Sequence, residues 1–357
     1  MIPILRAAGD LLNTELFDPV DLGGSTRSTV LRCRTAAGES VIVKSFSDLR
    51  SFTSEAAGLS LQLAGPALLG VDASVPLLVM ADLGSAPTLA DVLLGDDPKA
   101  AADGLLAWAQ GLGRLAAASV PRRADLARLR ARYDKGAGSW EDEPWIERNA
   151  ASLLALLTEA GIAPPEGLAE ELAEVGKAIE TEFPAFTPGD TCPDNNLLTR
   201  EGLRLIDFEG ACFQSVFLTA AYCRMPFSTC WCVFRLPTGL AEEIENAFRA
   251  EVVTAYPALA DVGVWQAGMQ WAIAVWTVDV TAALLPRAMK EDGPLHRTRR
   301  PVPTRRQLLR HRWEMASTLD GVPALAETMR PLLREVAAGW EVPPLPGYPA
   351  FSNRGGL

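Results

Sequence analysis

Histidine and lysine are nearly missing from this 357-residue chain. Its 2 histidines, His296 and His311, stand far from the polar motifs described below, which argues against a histidine-based catalytic mechanism. Lys44, Lys99, Lys135, Lys177 and Lys290 are the only lysines, and arginine is the usual cation. No apolar run approaches the roughly 18–20 residues that a membrane span requires, and the stretch 272–285 is interrupted by Thr277, Asp279 and Thr281. The start, Met1-Ile2-Pro3-Ile4-Leu5-Arg6, has no basic region ahead of a signal-like core, so secretion is not expected. The 6 cysteines (Cys33, Cys192, Cys212, Cys223, Cys230, Cys232) are scattered, and no histidine or second cysteine pair stands at zinc spacing. Free thiols in a reducing cytoplasm are therefore expected. A net charge of −11 argues against nucleic acid as the main partner. It suits a cationic substrate, but is also ordinary for soluble proteins. There is no internal repeat and no low-complexity segment.

What is present is concentrated in two short loops. Pro188-Gly189-Asp190-Thr191-Cys192-Pro193-Asp194-Asn195-Asn196 leads into strand-like Leu197-Leu198-Thr199. After a turn at Arg200-Glu201-Gly202, the strand Leu203-Arg204-Leu205-Ile206 delivers Asp207-Phe208-Glu209. Phosphoryl transfer needs a carboxylate to orient the attacking hydroxyl, with an amide oxygen and a second carboxylate to hold Mg²⁺ over the phosphates. Asp190, Asn195 and Asp207 supply that set in that order. Taken singly, Asp190 and Asn195 also suit ordinary turns.

These residues resemble the aminoglycoside phosphotransferase family of small-molecule kinases. Its catalytic segment reads H-G-D-x-x-x-x-N and is followed by an I-D-x-E type motif. The matching residues here are Gly189-Asp190, Asn195 and Ile206-Asp207-Phe208-Glu209. The resemblance implies Asp190 as catalytic base, with Asn195 and Asp207 as Mg²⁺ ligands. Asn196 leaves the register of the amide ligand open, although the family spacing favours Asn195. The chain departs from the pattern at Pro188, where the family usually has histidine, and this bears on loop geometry more than on chemistry.

The N-terminal part supplies the other half of such an enzyme. Leu22-Gly23-Gly24-Ser25-Thr26-Arg27-Ser28 is a small-residue loop able to bring backbone N–H groups to phosphate, with Gly24 and Ser25 as candidate contacts. It lacks a GxGxxG pattern. Strands follow at Thr29–Arg34 and Ser40–Lys44. Lys44 ends an apolar run where an unpaired charge would be costly. Its expected partner is Glu55, in a helix opened by one of the preceding Ser or Thr residues, although Glu55 would also serve as a plain first-turn acid. Pro76-Leu77-Leu78-Val79-Met80-Ala81-Asp82-Leu83-Gly84 resembles the family's hinge, where backbone groups from Met80 through Asp82 to Leu83 would hydrogen-bond adenine.

The remainder reads as a helical lobe, with helices expected near 98–118, 124–133, 145–160, 166–182, 220–227, 239–255, 263–285, 304–318 and 323–338. The tail from Pro343 to Leu357, rich in Pro and Gly, is expected to be extended. Candidate acceptor contacts are Glu209, Trp231, Trp271 and Asp279; for the tryptophans, core packing is the competing reading. An arginine-rich stretch (Arg297, Arg299, Arg300, Arg305, Arg306, Arg310, Arg312) either grips an anion or forms a solvated loop and helix face.

The resulting expectation is an α+β, bilobal, protein-kinase-like fold. Residues 1–83 would form the nucleotide-binding lobe, 84–345 the helical lobe and 346–357 the tail. The implied activity is ATP- and Mg²⁺-dependent transfer of the γ-phosphoryl group to a hydroxyl of a small molecule such as an amino sugar, sugar or aminoglycoside-like antibiotic. The protein would be cytoplasmic, a monomer or homodimer, without nucleic-acid or membrane partners. A nucleotide-binding pseudokinase is the alternative. No A-P-E signature follows Asp207, which disfavours a protein kinase.

Overall fold

The computed structural model describes residues 2–25 (Ser25 by its backbone alone), 27–227 and 230–352. Thr26 of the glycine loop and residues 353–357 of the expected tail lie outside the described residues.

The first lobe runs α1 (Ile2–Leu12), β1 (Leu16–Ser25), β2 (Ser28–Thr35), β3 (Ser40–Phe46), α2 (Leu49–Ser60), β4 (Leu68–Asp72) and β5 (Leu77–Ala81). The strands form one antiparallel sheet in the order β1-β2-β3-β5-β4. Strand periodicity sets the position of the key lysine. Val41 and Val43 of β3 enter a small core with Leu31, Cys33, Leu77 and Val79, covered by Ala8 and the apolar face of α1. Lys44, one residue on, must therefore face the other way, toward the second lobe. Its cross-strand neighbours are Val30 and Leu78. Helix α2 is opened by Asp48, whose carboxylate accepts from Ser51 N at 2.8 Å, rather than by the serines and threonine that follow. An aspartate caps as well as serine does, and it stands at the end of β3 where the chain must turn.

The second lobe comprises α3 (Leu89–Leu93), α4 (Pro98–Ser119), α5 (Arg123–Tyr133), α6 (Trp145–Glu159), α7 (Leu168–Thr181), β6 (Pro184–Thr187), β7 (Asn196–Thr199), β8 (Gly202–Leu205), β9 (Cys212–Ser215), α8 (Val216–Ala220), α9 (Thr238–Val252), α10 (Val262–Lys290), α11 (Arg305–Ala316) and α12 (Pro323–Pro331). The expected helix over 220–227 lies earlier, because Ser215 caps α8 by accepting from Phe217 N, and only a short 3-10 turn follows at Ala221–Cys223. Helix α10 is apolar and long enough to cross a membrane by length and composition, unlike the interrupted run anticipated from sequence. It packs against α6, α7, α8 and α11 as the central helix of this lobe, and 56% of its apolar window is buried in the protein.

The described part of the tail is without helix up to a short 3-10 turn at Pro349–Phe351, and it packs onto the second lobe. Leu345, Tyr348 and Ala350 are buried, and Tyr348 Oη donates to Cys232 O at 2.9 Å. An aromatic ring with a satisfied hydroxyl outweighs the local Pro and Gly content.

Two small antiparallel pairs organise the loops of interest. β6 pairs with β9, and β7 pairs with β8. The chain thus leaves one ladder through Pro188–Asn195 and returns to it through Ile206–Ala211, so the two loops run side by side.

Candidate active site

Lys44 is 5% exposed and Glu55 1% exposed, so this charge pair has left water almost completely. Lys44 Nζ lies 2.5 Å from Glu55 Oε2 and 2.6 Å from Asp207 Oδ1. One ammonium therefore joins β3, α2 and the loop after β8. Burial alone would lower the Lys44 pKa, but the two carboxylates outweigh it and hold the amine charged. Burial pushes the Glu55 pKa up despite Lys44 beside it.

Asp207 has φ +67°, a left-handed conformation that a short polar side chain tolerates. Phe208 is buried and stacks on Phe186, and it fills the space beside Gly58 of α2 and Gly65. This packing turns Phe208 inward and leaves Asp207 and Glu209 facing the cleft between the lobes.

The loop after β6 is held tightly. Gly189 has φ +93°, and a Cβ there would sit 2.5 Å from Gly210 Cα, so the two loops touch backbone to backbone. Gly189 N donates to Thr187 Oγ1 at 3.1 Å. Asp190 Oδ1 accepts from Cys192 N at 2.9 Å. Asn195 and Asn196 divide sharply. Asn196 is buried, donating Nδ2 to the carbonyls of Thr191 (3.1 Å) and Cys192 (2.5 Å), and so braces the loop. Asn195 lines the cleft, and its Nδ2 lies 3.4 Å from Asp190 O. These contacts hold the loop although proline occupies position 188.

The cleft has a volume of about 1000 Å³ and is lined by Gly24, Lys44, Glu55, Asp190, Asn195, Asp207 and Glu209 from both lobes. Its other end is bounded by Met80, Asp82 and Leu83. The Asp82 side chain is occupied: it accepts from Ser40 Oγ (2.6 Å) and Gly84 N (2.9 Å) and pairs with Arg32 (2.8 Å). Asp82 thereby shapes the connector between lobes. Across the opposite lip, Arg27 of the β1–β2 turn pairs with Glu209. Gly24 needs to be glycine, since a Cβ would lie 2.3 Å from Ser28 O at φ +151°. The Ser25 side chain lies outside the described residues.

The site is electrostatically hungry for cations. Asp190 is exposed to the cleft, and the partial loss of water around it there, with Asp207 and Asp194 nearby, raises its pKa. Burial and Asp207 likewise raise the Glu209 pKa. Carboxylates whose pKa is raised by neighbouring negative charge gain from a cation placed among them.

Other sequence candidates are placed differently. Trp231 lines the cleft, its Nε1 donating to Asp194 Oδ2 at 3.0 Å. Trp271 and Asp279 sit on α10 and are not among the cleft-lining residues. Trp271 packs against the core, and Asp279 Oδ1 accepts from Asn149 Nδ2 of α6 at 2.7 Å. Burial raises the Asp279 pKa to about 6. The α10 face that carries both residues is used for helix packing.

The arginine stretch also divides. Arg299 and Arg300 reach the cleft; Arg299 lies over Trp231 at 4.6 Å and 3.4 Å from Asp194, while Arg300 Nη1 donates to carbonyls of its own loop. Arg306 donates to Ala288 O and Arg310 to the carbonyls of Ala337, Trp340 and Val342, which are structural clamps. Arg312 is fully buried, and burial lowers its pKa to about 9.

The cysteines are not all free. Cys192 and Cys230 form a disulfide, while Cys33, Cys212, Cys223 and Cys232 are unpaired thiols. The pairing spans 38 residues and depends on the fold bringing 230–232 against the loop after β6, which no local spacing reveals. Which arginines of the arginine-rich stretch reach the cleft (Arg299 and Arg300), and that Arg27 pairs with Glu209, was likewise not distinguishable by pattern, because each lies in an irregular segment.

No family model and no curated protein matches the chain. Among solved structures it is similar to a candidate fructosamine-3-kinase of Thermobifida fusca, 17% identical, covering 79% of this chain and 93% of that one, with a TM-score of 0.48. It is also similar to a macrolide 2'-phosphotransferase of Brachybacterium faecium, 14% identical over 81% and 94% of the two chains, with a TM-score of 0.47. A choline kinase of Streptococcus pneumoniae is 15% identical over 91% and 98%, with a TM-score of 0.45.

Proposed function

We propose that the chain is an ATP-dependent phosphotransferase that moves the γ-phosphoryl group to a hydroxyl of a small molecule. The observation that carries this reading is the convergence of Lys44, Glu55, Asp207, Asp190 and Asn195 on one cleft, from segments up to 163 residues apart. A glutamate serving only as a first-turn acid has no reason to meet a buried lysine there.

In this reading residues 1–83 cover the nucleotide and 84–345 carry the reacting groups. Met80 to Leu83 meet the adenine by backbone groups, and the loop at Gly24 approaches the phosphates. Lys44, fixed by Glu55, presents its ammonium to the α- and β-phosphates. Asp190 accepts the hydrogen bond of the acceptor hydroxyl, aligns its oxygen for in-line attack and takes the proton late in a loose transition state. Its raised pKa suits a group that must hold and release a proton.

Mg²⁺ fits the residues present. Asp207 and Asn195 are hard oxygen donors, and burial together with nearby negative charge raises the pKa of Asp190 and Glu209 beside them, which a cation would offset. When bound, the ion would supply charge against the phosphate oxygens. Glu209 and Trp231 are the acceptor-side candidates that line the cleft. The test is ADP release from ATP over a panel of sugars, amino sugars and aminoglycosides, with Asp190→Ala as control. Mg²⁺-dependent nucleotide binding with no turnover on any acceptor would favour the non-catalytic, pseudokinase alternative.

A further inference from the structure

Beside the proposed Mg²⁺ position lies a second set of donors of a different chemical kind. The sulfurs of Cys192 and Cys230 and a carboxylate oxygen of Asp194 lie within 4.8 Å of one another. The sulfur of Cys232 lies 3.4 Å from that of Cys230, and Cys232 is buried and bonded to no other cysteine. Tetrahedral zinc with Zn–S bonds of about 2.3 Å places its donors about 3.7 Å apart. The 3.4 Å between the Cys230 and Cys232 sulfurs is close to that value, whereas the bonded sulfurs of Cys192 and Cys230 must separate when their bond opens and Cys232 must swing in to complete the set. The carboxylate is also oriented, since Trp231 Nε1 lies 3.0 Å and Arg299 3.4 Å from Asp194 Oδ2. Outer partners of this kind fix a ligating carboxylate.

We propose that, once the Cys192–Cys230 bond is reduced, Cys192, Cys230, Cys232 and Asp194 bind one Zn²⁺ ion beside the loop that carries Asp190 and Asn195. The disulfide and the metal site are then two states of one cluster. Reduction breaks the S–S bond with two electrons and two protons from a dithiol, which leaves as its own disulfide. Zn²⁺ then replaces the thiol protons, which pass to solvent. The soft donor set separates this site from the oxygen donors Asn195 and Asp207, so Mg²⁺ does not compete for it.

Reduced, reductant-free full-length protein is titrated anaerobically with Co²⁺ and then Zn²⁺. The expected result is one Co²⁺ per chain with a sulfur-to-cobalt charge-transfer band in the near ultraviolet, bleached by Zn²⁺ and absent from the oxidised protein. Cys232→Ser should lose much of that band, while Cys33→Ala, in the other lobe, should keep it. Thermal melts of each variant establish that it is folded. Should a variant not fold, the comparison of reduced with oxidised wild-type protein still decides. Cobalt bound without a sulfur band, no stoichiometric binding after reduction, or equal bands in the oxidised and reduced protein would overturn the proposal.

Discussion

Breaking the Lys44–Glu55 pair should cost far more than removing it whole. Both side chains are buried, and Glu55 is nine-tenths or more out of solvent. Breaking a buried pair costs about 3–5 kcal/mol, because the remaining charge is stranded, whereas apolar replacement of both is often neutral or stabilising by about 1–4 kcal/mol. In Glu55→Leu, Lys44 retains Asp207 at 2.6 Å, so the loss belongs at the low end, about 3 kcal/mol. In Lys44→Met, Glu55 is left buried near Asp207 with its pKa raised further. An acid whose folded pKa lies above its unfolded value contributes least stability at high pH, so this variant should be weaker at pH 8 than at pH 5.5. The double variant should recover most of the stability lost by either single one. Denaturant unfolding of all four proteins at both pH values measures this, alongside nucleotide binding, which should be lost in all three variants. Additive losses in the double variant would refute the reasoning. Recovery in the double variant together with loss of nucleotide binding would separate the stability of the pair from its proposed role at phosphate.

Asp190→Asn should cut turnover by two orders of magnitude or more while leaving the ATP dissociation constant within about threefold, checked by calorimetry and ADP release. Gly189→Ala should abolish turnover and destabilise by roughly 1–3 kcal/mol, since the φ of +93° and the 2.5 Å approach to Gly210 exclude a Cβ. Asp279→Asn keeps the oxygen that accepts from Asn149 but removes a carboxylate whose folded pKa is about 6 against an ordinary 3.8. The contribution of Asp279 to stability falls as pH rises from about 4 through 6, so the variant should be more stable than the wild type by roughly 1–3 kcal/mol at pH 8 and equal to it at pH 3.5. Thermal melts across that range read it out.

Two of the polar motifs were legible because an apolar run leads into each. Val41-Ile42-Val43 precedes Lys44, which stays within β3, and Leu203 to Ile206 precedes Asp207, which leaves the strand. The longer helices of the second lobe were readable from apolar spacing, whereas the short α3 and α8 were missed or misplaced. Features set by partners far along the chain were not. Asn195 and Asn196 are equivalent as letters, and only the carbonyls of Thr191 and Cys192 turn one inward. Trp271 and Asp279 carry side chains suited to a sugar or an amine, but α10 spends that face on packing, with Asp279 bound to Asn149 of α6. The Cys192–Cys230 bond and the Arg299–Asp194 pair join segments 38 and 105 residues apart, beyond any local pattern. The packing of the tail was not legible either, because Pro and Gly counts say nothing of the buried Leu345 and Tyr348.

The most direct test of the central claim is the thermal shift produced by ATP with and without Mg²⁺, in the wild-type protein and in Asp207→Asn. Stabilisation that requires Mg²⁺ and disappears in Asp207→Asn is the predicted result. A shift indifferent to both Mg²⁺ and Asp207, or no shift at all, would contradict the reading of this cleft as a metal–nucleotide site.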